Sequence, residues 1–234
     1  MVSMMPIFIG HILSLPDSGR PTGMYKHAVS GSVELGPEGF VGDHQADRRV
    51  HGGPDKAVHC YPTSHYVRLA ERFPDATGLL VPGSLGENLS SDTLDETRVR
   101  IGDTFRLGPA LLQICQPRTP CWKIDERFGV EGMAQFIADN HLTGWYFRVL
   151  QGGIVDSPAE LELHQATDAP TLAEAQRAWQ AHRPAASALW RIADAPGIAA
   201  GWRAKLVARA EWLGRDPENS PAPPVTTFHV KPDR

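Results

Sequence analysis

Little in this chain speaks for covalent cross-linking or membrane insertion. It has three cysteines, Cys60, Cys115 and Cys121. The number is odd and no two stand in CxxC spacing, so no disulfide framework is expected, and a reducing compartment fits best. No stretch approaches the roughly 18 uninterrupted apolar residues of a membrane-spanning helix. The apolar start, Met1 to Leu15, is broken by His11 and has no basic leader, unlike a secretory signal. A cytoplasmic protein without membrane contact is therefore expected. Basic excess is missing too: a net charge of −4 argues against a whole-protein nucleic-acid footprint. There is no P-loop, no GxGxxG fingerprint, no Ser-His-Asp order, and no flavin, haem or iron–sulfur motif. What the 234 residues do offer is 41% hydrophobic and 21% charged side chains, enough for one large core or a core with an appendage.

The texture changes near residue 168. Before it, glycine and proline punctuate short apolar runs: Ile7–Ile9, Val29–Leu35, Ala57–Tyr61, Val99–Ile101, Thr104–Leu107, Leu111–Ile114 and Tyr146–Leu150. Short strands set off by turn residues predict a barrel or sandwich, interrupted by helices over Thr63–Phe73 and Val130–Asn140, where the apolar period becomes helical. After Asp168, Thr171-Leu172-Ala173-Glu174 is a capping box opening a helix towards Ala181. A second helix is expected from Pro184 through Ala193, and a third over Ala199–Leu213 with Gly214 as its C′ residue. From Pro217 onwards the prolines and polar residues predict a flexible tail. The expected organisation is residues 1–167, a β-barrel domain; 168–215, three helices; and 216–234, the tail.

Chemistry concentrates in the first part. The run Gln116-Pro117-Arg118-Thr119-Pro120-Cys121, followed by Trp122-Lys123, follows a strand-like segment. Prolines donate no ladder hydrogen bond and fix φ, so the strand must end and the thiol is held on a stiff loop. Arg118 and Lys123 flank it, and nearby positive charge favours the thiolate, the form that binds metal or attacks an electrophile. A lone cysteine is more often a small buried hydrophobe, which is the reading taken for Cys60 and Cys115. A second cluster is Asp47 and His51-Gly52-Gly53-Pro54-Asp55-Lys56, whose paired glycines and charges suit an anion or merely a tight turn. The spacing of His44, His51 and His59 matches no standard zinc pattern. In Gly86-Glu87-Asn88, the carboxylate and amide either turn into a pocket or form a β-turn.

In order, these motifs read GDxQxDxxVHGGPDKAVxxYPxxHY (Gly42–Tyr66), GENLS (Gly86–Ser90), IGDxFRxG (Ile101–Gly108) and QPRxPCxK (Gln116–Lys123), with Gly144-Trp145 downstream. The chain resembles the YiiM-like branch of the MOSC-domain proteins over about residues 8–165, and its remainder is similar to the three-helix domain that follows in that branch. The resemblance implies an α+β, predominantly β fold: a MOSC-type β-barrel with peripheral helices and a C-terminal three-helix domain. It implies a molybdenum cofactor (molybdenum–molybdopterin) with Cys121 as the metal ligand, a soft donor suited to that role. Lys56 and the His51-Gly52-Gly53 turn, with Arg20, Lys26, Asn88, Arg118 and Lys123, are expected around the cofactor. The implied reaction reduces N-hydroxylated bases, such as 6-N-hydroxylaminopurine, to amines. Electrons come from a separate reductase, His51, Asp47 or Glu87 supplies the proton, and a homodimer is compatible with it. The alternatives are a carrier of the cofactor or of sulfur on Cys121, without turnover, and a helical region that docks a partner through Trp179, Trp190, Trp202 and Trp212, although aromatics in small bundles are more often core.

Overall fold

The apolar runs assemble mainly as one antiparallel sheet that curls almost closed. The structure, a computed structural model, describes residues 3–215, 225–227 and 229–231. Its seven-stranded sheet has the order Ser3–Met5, Ala159–Gln165, Thr104–Leu107, Ala110–Pro117, Trp145–Gln151, Val58–Pro62, Leu89–Ser91. All neighbours are antiparallel except the last pair. The two edges meet: Ile7 bridges Leu89, and Phe8 N–H donates to the Asn88 carbonyl at 2.8 Å. A nearly closed sheet leaves few unpaired edge groups, and the expected barrel with peripheral helices is what forms. A smaller sheet, Gly153–Ser157, Gly31–Gly36 and Gly39–Phe40, packs beside it.

Alternation decides which side chains fill the barrel. In Ala110–Pro117, Ala110, Leu112 and Ile114 are buried, while Leu111 and Gln113 are only half-buried. Val58–Pro62, flanked on both edges, is buried throughout. Trp145, Phe147, Leu107 and Leu89 close the interior, each fully buried apolar side chain contributing about 1.5–3 kcal/mol. The run Val99–Ile101 is not a strand. It is a turn held by Asp103, whose carboxylate accepts from Arg100 N–H, and only Arg100 makes a bridge, to Thr171. Strands at Leu89–Ser91 and Ala159–Gln165 complete the barrel although the pattern of neither stood out.

Helices Ser64–Arg72 and Met133–Asp139 form where the helical period lies and, with Lys123–Phe128, enclose a second apolar cluster around Leu69, Ile124 and Ile137. The three C-terminal helices are Leu172–Gln180, Ala186–Ala193 and Ala200–Gly214. The Thr171–Glu174 capping box is formed on both sides. Gly214 is inside the last helix, and extended Arg215 caps it, so no left-handed C′ residue is used. Leu189, Ile192, Leu206 and Ala210 belong to the same buried cluster as the barrel interior. Trp179 and Trp202 are buried with them, whereas Trp190 is exposed. Much of the tail, residues 216–224, 228 and 232–234, lies outside the described residues. His229, in contrast, is tied to the barrel: its N–H donates to Pro120 O and its carbonyl accepts from Trp122 N–H, both at 2.8 Å. Among the described residues no helix is long and apolar enough to cross a membrane.

Candidate functional site

Strand register brings the separate motifs to one end of the barrel. Tyr146 lies opposite Gln116 on one side and His59 on the other. The loop after Pro117, which carries Arg118 and Cys121, therefore leaves the sheet one strand away from the strand that follows the His51–Lys56 turn, with Trp145–Gln151 between them. Gly144 permits this crowding. Its φ is +66° and a Cβ there would collide with the Cys60 carbonyl oxygen, a conformation and a clearance that only glycine supplies. Arg118 N–H donates to the Gly144 carbonyl at 3.1 Å, fixing the start of the loop.

Two adjoining cavities open at this end. The smaller, about 80 Å³, contains Cys121, Lys123, Lys26, Asn88 and His59. The larger, about 370 Å³, lies between the Gly52–Lys56 turn, the C-terminal helices and His229. His51, Lys56, Arg118 and Tyr146 line both. Of the residues expected to contact a cofactor, all but Arg20 thus gather here. Arg20 stacks on the Trp122 ring, 5.6 Å from its centroid, and lines neither cavity.

Several of these groups are already committed. Lys26 pairs with Asp43 at 2.6 Å, both side chains nearly fully buried, so its charge is balanced inside the protein. Asn88 accepts from His59 N–H and donates to Phe8 O and Asp43, each at 3.0 Å; it braces the site. Gly52 N–H, which seemed free for an anion, donates to Arg48 O at 3.1 Å and ends the short helix Arg48–His51. Lys56 donates to Val50 O and Lys123 to Pro21 O. Arg118 is different. It is 6% exposed, donates only weakly to Leu85 O at 3.4 Å, and its Nη1 has no partner among the described residues. His59 Nε2 is likewise buried and unpartnered. Buried polar groups are normally satisfied, so an unpaired guanidinium nitrogen beside a buried thiol fits a site that takes an anionic ligand.

Electrostatics correct the reading of Cys121 from its neighbours. Burial pushes the thiol pKa up, and the Lys123 N–H and the Arg118 and Lys123 charges only partly offset this. Without a ligand the group is a thiol; a metal would have to displace its proton. Burial raises Cys60 far more and Cys115 to about 12, in keeping with core positions. The three histidines His44, His51 and His59 share the smaller cavity. Among the described residues, however, no three His, Cys, Asp or Glu side chains stand close enough to hold one ion.

The expected proton donors separate. Glu87 lines neither cavity; it is fully buried and its carboxylate accepts from Tyr66 Oη, Gly83 N–H at 2.7 Å, Leu85 N–H at 3.1 Å and Ser90 Oγ at 2.9 Å. Asp47 caps the Arg48–His51 helix and pairs with Arg49 at the surface. Only His51 faces the cavities. Burial, then Arg118, His229, Lys56 and Lys123, lower its pKa to about 3, so its imidazole is neutral near pH 7. Tyr146 carries no sequence signal beyond being an aromatic in a strand, yet it stands at the junction with its phenol pKa raised by burial despite Arg118 beside it. His229 also joins the site, its ring edge-on to His51 at 5.9 Å.

The lowered His51 pKa has a measurable consequence. A depressed folded-state value means that stability is full above the unfolded pKa near 6.5 and is lost as pH falls, because the unfolded chain takes up a proton that the folded one refuses. Between pH 7 and 5 the loss from this group is about 2 kcal/mol. His59, His141 and His229 are lowered too, so the check is a difference: denaturant melts of His51→Gln should lose about 2 kcal/mol less than the parent over that interval.

With this geometry in place, the comparisons place the chain. The model of the MOSC domain matches residues 47–162, a span that contains His51, Tyr146 and Cys121 but not the C-terminal helices. The chain belongs to the MOSC-domain family, within its YiiM-like branch. Protein YiiM of Escherichia coli (strain K12) is 38% identical over 205 residues, covering 87% of this chain and 90% of that protein. The crystal structure of YiiM from Escherichia coli superposes with a TM-score of 0.77 at 31% identity, covering 90% of this chain and 93% of that one. A protein named reductase from Gibberella moniliformis (strain M3125 / FGSC 7600) is 34% identical over 131 residues, 56% of this chain and 23% of its own length.

Proposed function

We propose that this protein reduces N-hydroxylated bases, 6-N-hydroxylaminopurine and its relatives, to the amines, using a molybdenum cofactor held through Cys121 and electrons from a separate reductase. The observation that carries the reading is the junction itself. A buried thiol on a proline-stiffened loop opens into a cavity where Arg118 Nη1 has no partner among the described residues, in a chain of the MOSC family. The name of the fungal relative, reductase, supports the reaction class.

The overall change is R–NHOH + 2 e⁻ + 2 H⁺ → R–NH₂ + H₂O. When bound, the molybdenum cofactor supplies the two-electron, oxygen-atom-transfer chemistry. Cys121 provides a soft ligand once deprotonated. Arg118 and Lys123 would offset the anionic charge of the cofactor, and Arg118 would gain the partner it lacks. Tyr146 keeps a proton on Oη near pH 7 and stands at the junction where an N–OH group would be presented. Neutral His51 beside it relays protons, and takes one up more readily when anionic charge masks the cations around it.

The test is protein purified from a host that makes the cofactor, with metal content measured and 6-N-hydroxylaminopurine offered alongside a chemically reduced viologen. About one molybdenum per chain and stoichiometric adenine are expected. Molybdenum without adenine would instead establish the carrier reading, and absence of both would overturn either.

A further inference from the structure

The larger cavity has a chemical character that the cofactor's thiolate ligand does not explain. Its charge is one-sided. Lys56, Lys205 and Arg118 line it, and none of the three forms an ion pair among the described residues. The one carboxylate among its described lining residues, Asp55, is engaged by Arg148 Nε at 2.8 Å and by Ala200 N–H at 3.3 Å. Lys205 comes from helix Ala200–Gly214 and Lys56 from the barrel turn, so two elements distant in sequence bring cations to one space. Burial first, and then their repulsion, lowers the Lys56 pKa; burial, then Lys56 and Lys205, lowers that of His229. Cations that converge without an ion-pair partner among the described residues favour a ligand that brings negative charge.

The rest of the wall suits a heteroaromatic body. Trp179 and Trp202 line it. Gln176, 4% exposed, has its amide orientation dictated by neighbours. Thr143 Oγ1 donates to the Gly144 carbonyl at 2.9 Å and so must accept from Gln176 Nε2 at 2.5 Å, leaving Oε1 as a buried acceptor without a partner among the described residues. A volume of about 370 Å³ falls at the compact end of small-molecule pockets, which begin at roughly 300 Å³.

We propose that the larger cavity takes the substrate as a nucleoside monophosphate, with Lys205 and Lys56 holding the phosphate. The identity of the base rests on the function proposed above; the phosphate site does not. Adenosine 5′-monophosphate, the unhydroxylated product, reports binding without turnover. Calorimetric titration of the full-length, cofactor-loaded protein should show it binding about tenfold or more tighter than adenosine, the scale of one charge-assisted contact. Lys205→Ala should cut that preference severalfold, Lys56 keeping the rest, and leave adenosine binding and the melting temperature unchanged, since Lys205 is exposed. Equal binding of the two ligands would overturn the proposal, as would a preference undiminished in Lys205→Ala. So would binding confined to cofactor-free protein, since the phosphate place would then belong to the cofactor. Failure to reduce 6-N-hydroxylaminopurine, with nucleotide binding intact, would sink the reductase reading alone.

Discussion

Cys121→Ser is expected to fold as the parent does and to lose molybdenum and turnover together. The side chain is 5% exposed and serine is nearly isosteric, so the structural cost is small. The chemical cost is not. A serine hydroxyl is a hard donor that holds its proton more tightly than a thiol already raised by burial, and a soft metal selects thiolate. Retained molybdenum and the rate of adenine formation should both fall by more than about 100-fold, beyond what loss of a supporting contact costs. Circular dichroism and the thermal midpoint should stay within a degree or two. Cys60→Ser, whose thiol lies in the barrel core away from both cavities, is the control and should keep metal and activity in its folded fraction. Full molybdenum and full activity in Cys121→Ser would overturn the central assignment.

The second large effect is on stability and concerns Glu87. Its carboxylate is the acceptor for four donors from Tyr66, Gly83, Leu85 and Ser90. In Glu87→Gln one acceptor oxygen becomes an NH₂ group, and a donor then faces a donor. With Oε1 still serving Tyr66, Gly83 and Ser90, the amide nitrogen would confront Leu85 N–H. Leaving such a group unsatisfied in a buried network costs about 2–4 kcal/mol, which for a chain of this size lowers the thermal midpoint by roughly 5–15 °C. Molybdenum per folded chain should be unchanged. A catalytic acid would behave in the opposite way, losing turnover at constant stability, so melting and turnover measured together separate the two roles.

The comparison of sequence with structure turns on which interactions are local. The helix at Leu172–Gln180 was legible because its capping box is a contact between residues three apart. The end of the strand at Pro117 was legible because proline forbids the ladder regardless of surroundings. The run Val99–Ile101 misled because it makes a single isolated bridge, to the residues around Thr171, and turns at Asp103 instead of continuing as a strand. Tyr146 and Gln176 escaped notice since nothing near them in the chain marks them. Their place comes from strand register and from helix packing across more than 25 residues.

By itself, the sequence determined the motif order, the barrel with its trailing helices, the family, and Cys121 as the exceptional thiol among three, because turn chemistry and side-chain periodicity act over a few residues. The tertiary structure decided what those residues face. It turned Glu87 inward to four donors, spent Lys26 on Asp43, brought Lys205 and His229 to the cavity, and let burial outweigh two neighbouring cations at Cys121. Burial and the direction of a charged side chain depend on elements far apart in the chain, and a dielectric environment exists only once they have packed.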